Sequence, residues 1–352
     1  MSRTGEFRER VDKALHDFLY DAMPPVTAIA EELTPLVSTT EAFLLDGGKR
    51  LRPAFCYWGH RAAGGPDSEP IVRAAASLEL LQACALMHDD VIDRSDTRRG
   101  APSVHRRFAA LHRSEEWRGD PEGFGQAAAI LLGDLALIWA DTMLARSGFP
   151  PDAFQHALPI WDAMRIEVMC GQYLDVVEQA RGGGSVERAL RVARLKSAKY
   201  TIERPLHLGA VLAGGGEQLM SALSDYGLPL GEAFQLRDDV LGVFGDPEVT
   251  GKPAGDDLRE GKRTALVALA LDGANDAQTQ QLRSRLGDPD LDDDGVTVLR
   301  EVITATGALT KVEQLISERL DAALAALAAA PVDESARPAL TELATAVSHR
   351  AG

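Results

Sequence analysis

The chain has 352 residues, 45% of them apolar and 26% charged, a balance that suits a globular protein with a sizeable core and excludes a largely disordered one. Its 37 basic and 53 acidic residues leave a formal charge of −16, which excludes a nucleic-acid footprint, since that needs a surplus of clustered Lys and Arg. The three cysteines, Cys56, Cys84 and Cys170, lie far apart in apolar stretches without metal-ligand spacing, so they are expected to be reduced packing residues.

Taken in chain order, the opening segment MSRTGEFRERVDKALHDFL alternates charged and apolar residues and lacks the unbroken apolar stretch of an export signal, so a cytoplasmic location is expected. Apolar residues at three- and four-residue spacing predict helices over Phe7–Asp21, Val26–Leu45, Arg52–Ala63, Glu69–Asp93, Gly125–Ser147, Ala153–Glu178, Val186–Ala213 and Glu217–Phe244. Further helices are predicted over Arg263–Leu271, Thr297–Thr306, Thr310–Ala330 and Glu334–His349, with strand signals nearly absent. Glycine-rich turns such as Gly182-Gly183-Gly184 separate them, and Arg113–Gly123 and Asn275–Gly295 read as polar loops. The most apolar stretch, Ala127–Ala140, is interrupted by Gly133-Asp134 and is too short to span a bilayer, so a buried helix is expected there. No linker divides the chain, and the expectation is a single all-helical domain over residues 1–352.

Two places concentrate negative charge at the end of an apolar helical run. In LELLQACALMHDDVIDRSDTRRG, Asp89 and Asp93 are four apart on one helix face, where like charges cost about 0.2–0.5 kcal/mol unless a cation lies between them. In FQLRDDVLGVFGD the doublet Asp238-Asp239 repeats the theme. Oxygen ligands of this kind suit a hard cation such as Mg²⁺, which keeps one or two carboxylates and takes substrate phosphates for the rest. A solvated acidic helix end is the plainer reading of either pair alone. Basic residues supply what a phosphate needs: Lys49, Arg50 and Arg52 in GGKRLRP at a helix start, and Arg98-Arg99 just after the first acidic run. Lys196, Lys199, Lys252 and Lys262 follow, of which Lys199 carries the weakest case.

The set GGKRLRP, DDVIDRSDTRRG and QLRDDVLGVFGD with GKPAGDDLREGK resembles the trans-isoprenyl diphosphate synthases (polyprenyl synthetases), in the branch that makes geranylgeranyl diphosphate. The resemblance implies an all-α bundle around a deep central cavity, the isoprenoid synthase fold, in a homodimer without a membrane span. It implies condensation of isopentenyl diphosphate with an allylic diphosphate, with three Mg²⁺ ions and Mn²⁺ able to substitute. It assigns Asp89, Asp93 and Asp238 as metal ligands, Asp90 and Asp239 as supporting them, and Asp175 as reaching metal-bound water. Arg98, Lys196 and Lys252 would hold the allylic diphosphate, and Lys49, Arg52, Gln82 and Arg99 the isopentenyl diphosphate. Gln235, Lys262 and Ser197 would line the site, Ser197 keeping the hydroxyl of the commoner threonine. One departure is Gly242, where many members carry a third aspartate of the second acidic run.

One isoprene unit matches about one helical turn, ~5.4 Å, so the residues a turn below Asp89 meet the growing tail first. These are Ala85 and Cys84, both small, with Leu81 and Leu78 further down as a floor, and the expected product has twenty carbons. Three other readings compete. A class I terpene cyclase would carry a different second site, a phosphohydrolase built on His88-Asp89 would need further spaced histidines, and a non-catalytic partner subunit would have lost an acidic run.

Overall fold

The computed structural model describes residues 3–45, 47–246, 255–288 and 290–348. Ten helices carry the framework: α1 (Arg3–Thr27), α2 (Thr34–Leu45), α3 (Leu51–Ala62), α4 (Glu69–Ile92), α5 (Val104–Ser114), α6 (Pro121–Ala145), α7 (Pro151–Arg181), α8 (Val186–Ala193), α9 (Arg204–Leu212) and α10 (Glu217–Phe244). Between α8 and α9 the chain continues as a π-helical segment, Arg194–Glu203, a geometry that recurs at functional sites. Beyond α10 come helices Asp256–Arg259, Ala265–Gly273, Asp276–Arg285, Asp293–Ala305, Ala308–Ala329 and Arg337–Ser348. The all-α expectation holds. The one sheet among the described residues is a two-residue hairpin, Thr97–Arg98 against Ala101–Pro102. It turns through Arg99 and Gly100, with φ of 53° and 75°, the left-handed pair that a tight hairpin turn requires.

Helix pairs α4 with α6, α3 with α9 and α5 with α6 pack the larger apolar cluster, around Phe55, Leu80, Leu132, Trp161 and Leu206. A second cluster, including Leu236, Val240, Leu266 and Leu299, lies where α10 meets the C-terminal helices. Helix α10 feeds both, with Leu230 and Phe234 in the first and Leu236 and Val240 in the second.

Three expectations need correction. Helix α5 forms where no element is predicted, because His105, Ala109 and His112 alternate with Val104 and Phe108 on its buried face and interrupt the apolar stripe. Asp276–Arg285 was read as loop; it buries Leu282 alone, and its sign was the Asn275–Gln278 capping box. Helix α6 forms close to the predicted Gly125–Ser147 but is not fully buried: Asp120 caps it by accepting from the Glu122 and Gly123 N–H groups, and Ile130, Leu131 and Ile138 face outward. By length and composition alone α4 and α6 could each cross a bilayer, but most of α4 is packed inside protein.

Candidate active site

A cavity of about 1270 Å³ opens between α4, α7, the α8–π segment and α10, with the start of α3 beside it. Helix α4 turns one face to it, carrying Leu81, Gln82, Cys84, Ala85, His88 and Asp89. At 1.5 Å per residue, Asp89 stands about 12 Å along the helix from Leu81, so one wall runs from a carboxylate down to an aliphatic side chain. Cys84 and Ala85 lie between them, as the residue spacing predicts, whereas Leu78 is fully buried and does not line the cavity. His88 packs against α6, its Nε2 3.0 Å from the Ile130 carbonyl oxygen.

Asp175 reaches the cavity from α7. A Cβ on Gly171 would sit 2.8 Å from the Lys196 backbone nitrogen, so glycine there lets α7 touch the π-helical segment. One turn on, Asp175 Oδ2 meets Lys196 Nζ at 3.0 Å, and the same Nζ lies 3.1 Å from Asp89 Oδ1. A second ammonium, Lys262 Nζ, lies 2.6 Å from Glu260, 3.4 Å from Asp257 and 3.5 Å from Asp93. On α10, Asp238 and Asp239 line the same cavity, and Gln235 donates from Nε2 to Asp239 Oδ1 at 2.7 Å while accepting from the Ser197 hydroxyl. Asp89 and Asp238, from distant parts of the chain, therefore share one cavity.

The electrostatics follow from burial with too few cations. Burial raises the Asp89 carboxyl, but Lys196, Lys262 and Arg98 outweigh it and hold the group below its usual range. Burial, and then the Asp89 charge, push Asp93 up to about 6. Burial pushes Asp239 up to about 8, against the Gln235 hydrogen bond and with the help of Asp257, Asp238 and Asp175. Lys196 and Lys262 are desolvated as well, yet the carboxylates around them raise both. Both Asp93 oxygens are buried without a hydrogen-bond donor among the described residues. Carboxyls pushed up by burial and by one another, as Asp93 and Asp239 are, mark a site short of positive charge. The donors are all oxygen, and no group of three or more metal-ligating side chains is preassembled among the described residues. That combination fits hard cations completed by phosphate oxygens and does not fit a closed protein cage.

The remaining sequence-predicted residues divide as follows. Lys49, Arg52, Arg99 and Lys262 line the cavity, as do Gln82 and Ser197. Arg52 donates to the Thr201 hydroxyl at 2.8 Å and stacks 4.5 Å from the Tyr200 ring centre. Arg98 lines the cavity but gives its guanidinium to fully buried Asp90, with Asp89 3.7 Å away. Asp93 stands at the end of α4 against Lys262 and does not line the cavity. Arg50, grouped by sequence with the phosphate binders, is 3% exposed and is consumed by Glu79 and Asp12, which makes it a clamp for the loop before α3. Lys199 pairs with Glu167 at 2.6 Å, off the cavity wall. Cys56 and Cys84 are buried as expected, but Cys170 is exposed. Lys252 lies outside the described residues. Sequence reasoning missed Asp257, read as part of a glycine turn, and Gln172, whose amide atoms are buried at the cavity. The Asp256-Asp257 doublet ahead of Lys262 was the available signal for the first.

Residues 34–303 match the model of the polyprenyl synthetase family. A geranylfarnesyl diphosphate synthase of Aeropyrum pernix is 34% identical over 76% of this chain and 79% of its own length. A geranylgeranyl diphosphate synthase of Methanosarcina mazei is 33% identical over 70% of this chain and 72% of its own. Among solved structures, geranylgeranyl pyrophosphate synthase from Corynebacterium glutamicum, complexed with isoprenyl diphosphate and magnesium, superposes with a TM-score of 0.96 at 46% identity, covering 99% of this chain and 100% of that one.

Proposed function

This chain belongs to the polyprenyl synthetase family and is a prenyltransferase, and we propose that it condenses isopentenyl diphosphate with an allylic diphosphate at this cavity to give geranylgeranyl diphosphate. The observation that carries the reading is the convergence of Asp89, Asp175 and Asp238 on a cavity whose α4 wall descends to Leu81. Asp89, Asp93 and Asp238 are the residues that would hold Mg²⁺, three ions by the family resemblance, with Mn²⁺ as a substitute. Bound there, divalent cations would neutralise the charge that grows on the leaving diphosphate.

The side chains do the rest. Lys196 and Arg98 orient the allylic diphosphate beside Asp89, and Lys252 belongs to the same set. Lys49, Arg52, Gln82 and Arg99 hold the second diphosphate at the start of α3, with Lys262, Gln235 and Ser197 completing the wall. As the allylic C–O bond breaks, Lys196 and Arg98 stabilise the released negative charge, which is where such donors are worth most. The isopentenyl double bond attacks the allylic cation, and the proton lost from the adduct passes to the departing diphosphate. Apolar residues of α4 and α7 exclude water from the cation.

The partner copy belongs to the same proposal. Ile130, Leu131 and Ile138 of α6 and Ile166, Met169 and Tyr173 of α7 are exposed apolar side chains, and Met169 and Tyr173 also line the cavity. A homodimer that covers these faces would complete the cavity wall as well as bury them. A cytoplasmic, single-domain enzyme without a membrane span is part of the reading.

Purified protein with Mg²⁺, isopentenyl diphosphate and each of dimethylallyl, geranyl and farnesyl diphosphate is expected to yield a twenty-carbon diphosphate. No product from any primer would overturn the reaction. A twenty-five-carbon main product, as the name of the Aeropyrum relative suggests, would overturn the length alone.

A further inference from the structure

Lys199 points away from the cavity, and the carboxylate it meets gives it a different task. Its Nζ lies 2.6 Å from Glu167 Oε1, and Arg204 donates to the same carboxylate from Nε to Oε2 and from Nη2 to Oε1, each at 2.7 Å. Burial raises the Glu167 carboxyl, but the bonds from Arg204 and Lys199 outweigh it and hold the group below its usual range.

Lys199 and Arg204 are five residues apart. On an α-helix, at about 100° per residue, such positions point about 140° away from each other, a poor arrangement for sharing one carboxylate. Here the Arg204 N–H donates to the Lys199 carbonyl, the closure of a π-turn, which brings residues five apart into line. The same segment presents Lys196 and Ser197 to the cavity. On α7, Glu167, Gly171 and Asp175 stand at four-residue spacing on one face. They meet in turn the Lys199 and Arg204 side chains, the Lys196 backbone and the Lys196 ammonium.

We infer that Glu167 is a positioning residue: by joining Lys199 to Arg204 it holds the π-turn, and with it the rotation that aims Lys196 at Asp89 and Asp175. The inference rests on the prenyl-transfer reading, in which Lys196 meets the allylic diphosphate. π-turns are rare, so this register calls for support beyond the backbone, and Glu167 supplies two ion pairs. Were the turn to tighten to α, the residues before it would swing by about 100° relative to α9 and carry Lys196 off the cavity wall. Glu167 itself does not line the cavity, so its effect on the reaction passes through the segment it holds.

The test is a kinetic cycle on the full-length enzyme with Mg²⁺, isopentenyl diphosphate and farnesyl diphosphate. In Glu167→Gln, Glu203 Oε2 remains 4.0 Å from Lys199 and 3.9 Å from Arg204, so neither cation is left alone and the variant should fold. It is expected to lower kcat/KM by about 10- to 100-fold, the loss typical of a displaced reacting group. In a Lys196→Gln background the same change should cost about two-fold or less, because the group it positions is already gone. Backbone amides of Arg194–Glu203 should exchange hydrogen faster in Glu167→Gln than in wild type.

Unchanged kcat/KM in Glu167→Gln overturns the inference, and so does unaltered exchange over the segment. An equal loss in both backgrounds overturns it as well, since a merely structural carboxylate acts without regard to Lys196. If Glu167→Gln does not fold, as judged by circular dichroism, Lys199→Gln, which leaves Arg204 on Glu167, runs the same cycle under the same criteria. A wild type that forms product while the cycle is additive loses this assignment and keeps its function. A wild type that forms no product loses both.

Discussion

Lys196 Nζ lies 3.1 Å from Asp89 Oδ1 and 3.0 Å from Asp175 Oδ2, so one ammonium joins the acidic end of α4 to the middle of α7. In the metal-free protein that ammonium supplies the positive charge these carboxylates lack. Replacing it tests binding and stability at once. Lys196→Gln is expected to lower kcat/KM by about 10²–10³-fold, as for other donors aimed at a developing negative charge. It should also lower the melting temperature of the metal-free protein, because two buried carboxylates lose their shared partner. Thermal melts with and without Mg²⁺ and diphosphate check this, and the added ligands should restore more stability to the variant than to wild type.

Product length is expected to respond to Cys84, which lines the cavity one turn below Asp89. Cys84→Phe should stop growth near fifteen carbons, since a ring there fills the space taken by about one isoprene unit per ~5.4 Å turn. Leu81→Ala, a turn further on, should shift the distribution upward by one unit. Chromatographic sizing decides both, and wild-type products from Cys84→Phe would refute the helix-depth argument.

Thiol chemistry separates the three cysteines. Burial pushes the Cys84 thiol up to about 12 and raises Cys56 as well, while Cys170 is exposed. The thiolate is the reactive form, so at pH 8 only about one part in ten thousand of Cys84 would be competent even if reagent reached it. Iodoacetamide should therefore label at most one thiol per folded chain and three after unfolding, counted by mass spectrometry. Labelling of Cys84 in the native protein would contradict the described packing.

The exposed apolar faces of α6 and α7 predict a concentration-dependent dimer. Leu131→Glu with Met169→Glu places charge on side chains that are 61% and 53% exposed, so the monomer itself should fold. Sedimentation should show wild type as a dimer and the variant as a monomer. Cys170, next to Met169 on α7, should then alkylate faster in the variant. An unchanged sedimentation coefficient would place the dimer contact elsewhere.

Much of the fold was legible from periodicity, and where it was not, the cause is physical. Glu217–Phe244 was read to the residue because its apolar positions recur without a break. Helix α5 escapes that reading, because His105, Ala109 and His112 share its buried positions with Val104 and Phe108 and dilute the apolar stripe. At the site, Asp89, Asp238 and Arg52 are legible because each belongs to a dense charged motif, Lys196 only through the family resemblance, and the structure brings all four to one cavity. Arg50 stood in the same kind of motif and turned inward to Glu79, a partner 29 residues away that no local pattern announces.

The sequence by itself determined the helices and the residues available for chemistry, because helix periodicity and the spacing of Asp89 from Leu81 are set by backbone geometry within a few turns. Which cation meets which carboxylate was decided by tertiary structure alone. Lys196 bridging α4 to α7 depends on the close passage at Gly171, and Asp257 lying across Gly242 depends on how the chain after α10 folds back. Ion pairs and helix contacts are short-ranged, so charges remote in sequence acquire partners only once packing has brought their helices together.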